Sequence, residues 1–365
     1  MKKKDAVKTH EELRARVEKT KGAIDPIYME LGARLGGRNP ENMARIMQKL
    51  ATPEQAKLVS ALPDTDRDPK LGRSLEVSDA FAKKLGMSKT TVDKHIRELY
   101  EKGLLFPTRG GPSMARTFLQ LHDAALGNPK YEKALGKEYY DLWGVMDGPM
   151  REPAPENLIP RFSAFRVVPR WKSIKDVPGV LPCEDVRAIL KAQDLIVLLE
   201  CGCKKSHTDR WCEIPDESCI TVGRTAQYNL DRGAGRKITY EEALEVIEKY
   251  DKLPVINAVV NQREVNQLVC NCHYCCCGAV RGAAKSRFEV VVNPEKCRAC
   301  KICIDRCQYG AIEIKFDPAL GRERTYVDVE KCRGCGCCVI TCPGEARTMK
   351  VVRPPEHIPE SGAIY

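Results

Sequence analysis

Apolar positions along the chain change their period several times, and those changes divide it into segments. Over residues 1–50 charged residues surround narrow apolar faces that predict helices, interrupted by the turn signal Gly36-Gly37-Arg38-Asn39-Pro40. A helix is predicted over residues 53–62, followed by a polar loop over 64–70. Val77, Phe81 and Leu85 fall on one face of a helix over 75–85, which Gly86 ends. Ser88 is placed to N-cap a third helix carrying Val92, Ile96 and Leu99 at core spacing. A strand over 104–108, a turn at Arg109-Gly110-Gly111-Pro112 and a returning strand over 115–119 predict a hairpin.

Residues 123–160 read as helical and then Pro-rich, with Pro149, Pro153, Pro155 and Pro160 marking a linker. A mixed segment follows. It predicts strands over 162–168 and 195–200, helices over 183–191 and 218–230, and further strands over 255–260 and 266–270. Thr239 with Glu242 forms a capping box for a helix over 240–250. The fold class is therefore α+β and multidomain. Its expected divisions are a helical N-terminal extension (1–50), a helix-and-hairpin domain (51–122), a linker (123–160), a cysteine-rich α/β domain (161–286), a further cysteine-rich domain (287–353) and an extended tail (354–365).

Composition changes this picture in one respect. Of 365 residues, 19 are cysteine, and none precedes Cys183, so thiol chemistry is confined to the later domains. The N-terminus has positive charge but no apolar core of a secretory signal, and no run of about 18 apolar residues exists. These features predict a soluble, cytoplasmic protein without membrane insertion, in which closely spaced cysteines are metal ligands rather than disulfides. The net charge of +10 points to an acidic partner: nucleic acid, an acidic protein surface or anionic lipid.

Cys297, Cys300, Cys303 and Cys307 form C-x2-C-x2-C-x3-C, and Cys332, Cys335, Cys338 and Cys342 repeat it 35 residues later. The repeat extends to Glu295-Lys296 and Glu330-Lys331, to Ala311 and Ala346, and to strands predicted over 288–292 and 325–329. This module resembles the bacterial ferredoxins that hold two [4Fe–4S] clusters. In that pattern three thiolates on a tight loop bind one cluster while the fourth cysteine reaches the other. Cluster one would take Cys297, Cys300, Cys303 and Cys342, and cluster two Cys332, Cys335, Cys338 and Cys307. Ala299, Gly334 and Gly336 leave backbone N–H groups free to approach cluster sulfur. Pro343 follows the ferredoxin pattern, whereas Gln308 stands where its other proline would be. Cys337 reads as a spare thiol, and structural zinc is the bland alternative for the whole module.

Two predicted strands run into C-x-C, at Cys201-Gly202-Cys203 and Cys270-Asn271-Cys272. Side chains at i and i+2 share a strand face, so neighbouring strand ends would form a four-thiolate cage. Cys212 and Cys219, with Cys275, Cys276 and Cys277, supply a second arrangement. These nine cysteines are candidate ligands of a third centre, either an Fe–S cluster or zinc, with unligated thiols as the alternative. His207 and His273 read as solvated or packing residues able to replace a thiolate.

Residues 160–350 resemble an uncharacterised family of multi-cysteine ferredoxin-domain proteins of anaerobic bacteria and archaea. The resemblance rests on Val180-Leu181-Pro182-Cys183-Glu184, Cys201–Cys203, Cys212, Cys219, 239–243 and Cys270–Cys277; Cys183 in place of an aromatic and His273 are departures. Residues 51–122 resemble winged helix-turn-helix domains. That likeness implies Lys89, Thr90, Thr91 and Lys94 facing bases with Arg109 and Arg116 on the DNA backbone, or else a dimerisation and docking module for a homodimer or larger complex.

The expected function is relay of single electrons through two [4Fe–4S] clusters to or from a partner oxidoreductase. The alternatives are a redox-responsive DNA-binding regulator and a reductase with its active site in the central domain. No Rossmann or Walker glycine motif supports the last, and Gly233-Ala234-Gly235 reads as a turn.

Overall fold

The structure is a computed structural model describing residues 3–20, 22–36, 39–62, 73–147, 164–208, 212 and 214–361. The expected loop over 64–70, the linker prolines and Phe162 lie outside the described residues. The chain forms two compact units, one of 1–149 with 200–211 and 229–235, the other of 150–199 with 212–228 and 236–365.

The first unit begins with helices α1 (Lys3–Lys19), α2 (Pro26–Arg34), α3 (Pro40–Leu50) and α4 (Pro53–Ala61). Asn39 caps α3, whose Met43, Ile46, Met47 and Leu50 are buried; Thr52 and Gln55 close a capping box on α4. A short strand β1 (Arg73–Ser74), α5 (Asp79–Lys84), α6 (Lys89–Glu101) and the hairpin β2 (Leu105–Arg109) and β3 (Gly111–Met114) follow, then α7 (Phe118–Ala125) and α8 (Pro129–Met146). Val92, Ile96 and Leu99 are buried on α6 as their spacing predicts.

Two boundaries differ from the expectation. The helix predicted over 75–85 starts only at Asp79, because Ser78 caps it by accepting from Phe81 N–H, and β1 pairs with β2 just upstream. The returning strand predicted over 115–119 is instead β3: Thr108 pairs with Gly111 across a tight turn. Thr117 then accepts from Gln120 N–H and starts α7.

The second unit is built on a six-stranded sheet. After β4 (Phe165–Val168) come α9 (Trp171–Ile174), α10 (Val186–Lys191), β5 (Ile196–Glu200), α11 (Gly202–Lys205, part of the first unit), β6 (Glu217–Val222), α12 (Gly223–Asp231), β7 (Gly235–Ile238), α13 (Tyr240–Lys249), β8 (Ile256–Val260), β9 (Leu268–Cys272) and α14 (Gly278–Arg281). The sheet order is β4-β8-β9-β6-β5-β7. Ile196, Leu198, Ile220, Val222, Val259 and Val269 bury one face against Ile189 and Leu190 of α10 and Ala243 and Ile247 of α13. Burying apolar area of this kind stabilises at about 25 cal/mol per Å².

The helix predicted over 218–230 begins five residues late. Its first part is strand β6, where β-branched Ile220, Thr221 and Val222 fit a pleated surface and Cys219 pairs with Cys270. The capping box at Thr239 and Glu242 is present.

The C-terminal part of this unit carries β10 (Phe288–Val292), α15 (Ile302–Asp305), β11 (Ile312–Asp317), β12 (Arg322–Val327), α16 (Cys337–Ile340) and β13 (Arg347–Val351). β10 pairs antiparallel with β13, and β11 with β12. The strand predicted over 325–329 begins three residues earlier and ends two earlier, since Asp328 already turns the chain, accepting from Glu330 N–H. Among the described residues no helix is long and apolar enough to cross a membrane.

Candidate metal centres

The 35-residue repeat of the sequence is a repeat of backbone geometry. Asn293 Oδ1 accepts from the N–H groups of Glu295 and Lys296 at 3.0 and 3.2 Å, and Asp328 Oδ1 accepts from those of Glu330 and Lys331 at 3.0 and 3.3 Å. Each turn leads into a cysteine loop with two left-handed residues: Ala299 (φ 51°) and Lys301 (φ 64°) in the first, Gly334 (φ 68°) and Gly336 (φ 75°) in the second. The fourth cysteines match as well. Ala311 N–H donates to Cys307 Sγ at 3.2 Å and Ala346 N–H to Cys342 Sγ at 3.3 Å.

Glycine in the second loop is dictated by its surroundings. A Cβ at Gly334 would meet Ser286 Oγ at 2.2 Å and Phe288 O at 2.3 Å, and one at Gly336 would meet Ser173 Oγ at 2.1 Å. The second loop is thus pressed against the rest of its unit. Arg170 N–H donates to Cys335 O at 2.9 Å, Ser286 Oγ to Gly334 O at 2.9 Å and Cys337 Sγ to Val255 O at 3.1 Å. The first loop faces outward: Cys300 is exposed.

Electrostatics separate the thiols. Burial, with Cys335 and Cys332 nearby, pushes the Cys307 thiol up to about 11. Cys338 is raised by burial and by Cys335, Cys332 and Cys307. Cys307 of the first motif is thus coupled electrostatically to thiols of the second. Burial also acts on Cys297, but Thr325, the Ala299 N–H and Arg347 outweigh it and hold that thiol below the ordinary value.

These features suit an Fe–S group: soft thiolate donors, N–H groups directed at sulfur, and a cradle that a Cβ would fill. The family model of a 4Fe-4S dicluster domain matches residues 296–346. The chain thus contains a ferredoxin-type, iron–sulfur-binding domain at its C-terminal end, of the kind that transfers electrons. No curated protein and no solved structure shows significant similarity to the chain.

The two C-x-C sequences of the expected cage fall in different units. β6 lies between β5 and β9. Cys203 stands in α11, with Cys201 as its N-cap, and both belong to the first unit. Cys270 and Cys272 lie inside β9, whose last residue pairs with Ile256 of β8.

Within the second unit the remaining central cysteines form two groups. Cys276 Sγ lies 3.5 Å from Cys212 Sγ and 3.7 Å from Cys272 Sγ, and the Cys212 and Cys275 thiols touch as well. His273 adjoins Cys212 and Cys275, with one atom from each of the three within 4.8 Å of the others. The other group is Cys270 with Cys219 and Cys277 in contact with it.

Cys203 instead joins a polar cluster that sequence reasoning missed. His122 Nδ1 contacts Asp123 Oδ1 at 3.0 Å and its Nε2 contacts Asp147 Oδ2 at 3.2 Å, while Ser206 Oγ donates to Asp147. Burial disfavours the imidazolium, but the two carboxylates hold its pKa well above the usual value. Nothing in local spacing links residues 122, 147 and 203. His207 is buried too.

On α6, Lys89 pairs with Asp93 and the Thr91 hydroxyl contacts Ser88 Oγ at 2.8 Å, so both serve the helix itself. Thr90, Lys94 and Arg116 are exposed, and Arg109 is half-buried.

Proposed function

We propose that the C-terminal domain holds two [4Fe–4S] clusters, one on Cys297, Cys300, Cys303 and Cys342, the other on Cys332, Cys335, Cys338 and Cys307, and that the protein relays single electrons to or from a partner oxidoreductase. The observation carrying this reading is the duplicated N–H···S geometry at Cys307 and Cys342 within a domain of dicluster type. Bound there, the clusters supply one-electron carriers.

The chain's own residues give the relay two unlike ends. Cys300 is exposed and Ile302 beside it is 40% exposed, a surface for a docking partner. The second motif packs against Arg170, Ser286 and Val255, a more enclosed end. The helix-and-hairpin portion of the first unit, read as winged-helix-like, serves as the module that docks the partner or a second copy.

Anaerobically purified protein should contain about eight iron and eight sulfide, with spin-coupled EPR signals when both clusters are reduced. Cys332→Ser should abolish the coupling. About four iron or fewer in fully loaded protein would refute the assignment.

A further inference from the structure

We infer that Cys212, Cys272, Cys275 and Cys276 bind a single tetrahedral zinc ion, a centre separate from the ferredoxin-type domain and independent of the electron-relay reading. The argument begins with distance. Zinc bound by four thiolates at about 2.3 Å places its sulfurs about 3.8 Å apart. Cys276 Sγ stands at 3.5 Å from Cys212 and 3.7 Å from Cys272, and the Cys275 thiol contacts both Cys212 and Cys276.

A four-iron cubane puts each thiolate on its own iron and so keeps the sulfurs out of mutual contact. In the C-terminal motifs Cys297, Cys307, Cys342 and Cys338 instead meet Thr325, Ala311, Ala346 and Arg347, and the one thiol that Cys335 touches is Cys337, which is not one of the eight motif cysteines. The two environments in one chain thus differ in the way that a mononuclear ion and a cluster differ.

Local structure supplies the rest. Cys272 ends β9, and residues 273–276 turn sharply, with both Cys276 N–H and Cys277 N–H donating to His273 O. This yields Cys272-x-x-Cys275-Cys276, the short spacing of structural zinc ligands, and Cys212 closes the shell from the segment preceding β6. His273 Nδ1 accepts from Cys275 N–H at 3.1 Å. That bond makes Nε2 the protonated nitrogen, so the ring is a supporting residue and the shell is all sulfur.

Zinc with four thiolates carries net charge −2. The buried guanidinium of Arg281 offsets it, donating to the carbonyls of Tyr274 and Cys275. Gln308 Oε1 accepts from Tyr274 N–H at 3.3 Å; the residue that replaces the ferredoxin proline therefore braces this turn. Cys219, Cys270 and Cys277 form a separate thiol group.

The test uses the full chain, purified anaerobically with zinc available. The expected result is about one zinc per chain, with a zinc-edge X-ray absorption spectrum showing four sulfurs near about 2.3 Å. Cys276→Ser should lower bound zinc at least tenfold while iron and sulfide stay unchanged, and Cys219→Ser should keep the zinc. The wild-type spectrum decides the matter if Cys276→Ser does not fold. Absence of zinc, a nitrogen in its shell, or loss of iron in Cys276→Ser would each overturn the inference. Iron and sulfide in the wild type report on the relay separately.

Discussion

Arg347 reaches both halves of the ferredoxin-type domain: its Nη2 donates to Thr325 Oγ1 at 2.6 Å while its Nη1 lies 3.9 Å from Cys338 Sγ. Thr325 in turn contacts Cys297 Sγ at 3.5 Å. A guanidinium only 4% exposed therefore acts on thiols of both motifs.

A buried positive charge favours the reduced, more negative state of a nearby cluster. Arg347→Gln should lower the reduction potential of the centre held by Cys338 by on the order of 50–100 mV. An EPR-monitored redox titration measures this; an unchanged potential would leave Arg347 a packing residue only.

Because Cys307 is coupled electrostatically to Cys332, Cys335 and Cys338, Cys307→Ser should alter the same EPR signal as Cys335→Ser and leave the signal that responds to Cys297→Ser. The opposite pairing would show that each motif holds its own cluster.

Gly334 combines a left-handed backbone with neighbours that would stand 2.2 and 2.3 Å from a Cβ at that position. Gly334→Ala should cost at least about 1–3 kcal/mol locally and speed loss of iron in air from the second centre. Ala299, which holds the matching left-handed position with a side chain, should accept glycine without that loss. Time courses of iron release compare the two.

Burial pushes the Glu101 carboxyl up, but Lys130, Tyr131 and Arg97 outweigh it and hold it at about 2. The folded value is depressed, so the stabilisation is present above the unfolded value and is lost as pH falls from there toward about 2. Glu101→Gln should destabilise the first unit by roughly 1 kcal/mol at pH 7, allowing for solvent screening. The deficit should shrink at pH 3, read as hydrogen-exchange protection of α6 amides.

The sequence alone determined what depends on local spacing. Thiols three residues apart on a loop can serve one cluster, Ser88 can cap only the helix beginning after it, and a 35-residue repeat of cysteines, Glu-Lys pairs and alanines implies duplicated geometry. Tertiary structure decided whatever depends on which segments meet. The sheet places β6 between β5 and β9; the turn after β9 brings Cys272, Cys275 and Cys276 to Cys212. Gly334 and Gly336 are required because Ser286 and Phe288 press on the first and Ser173 on the second, neighbours that lie far away along the chain. Strand order and close approach are properties of the packed chain, and no periodicity in a short window encodes them.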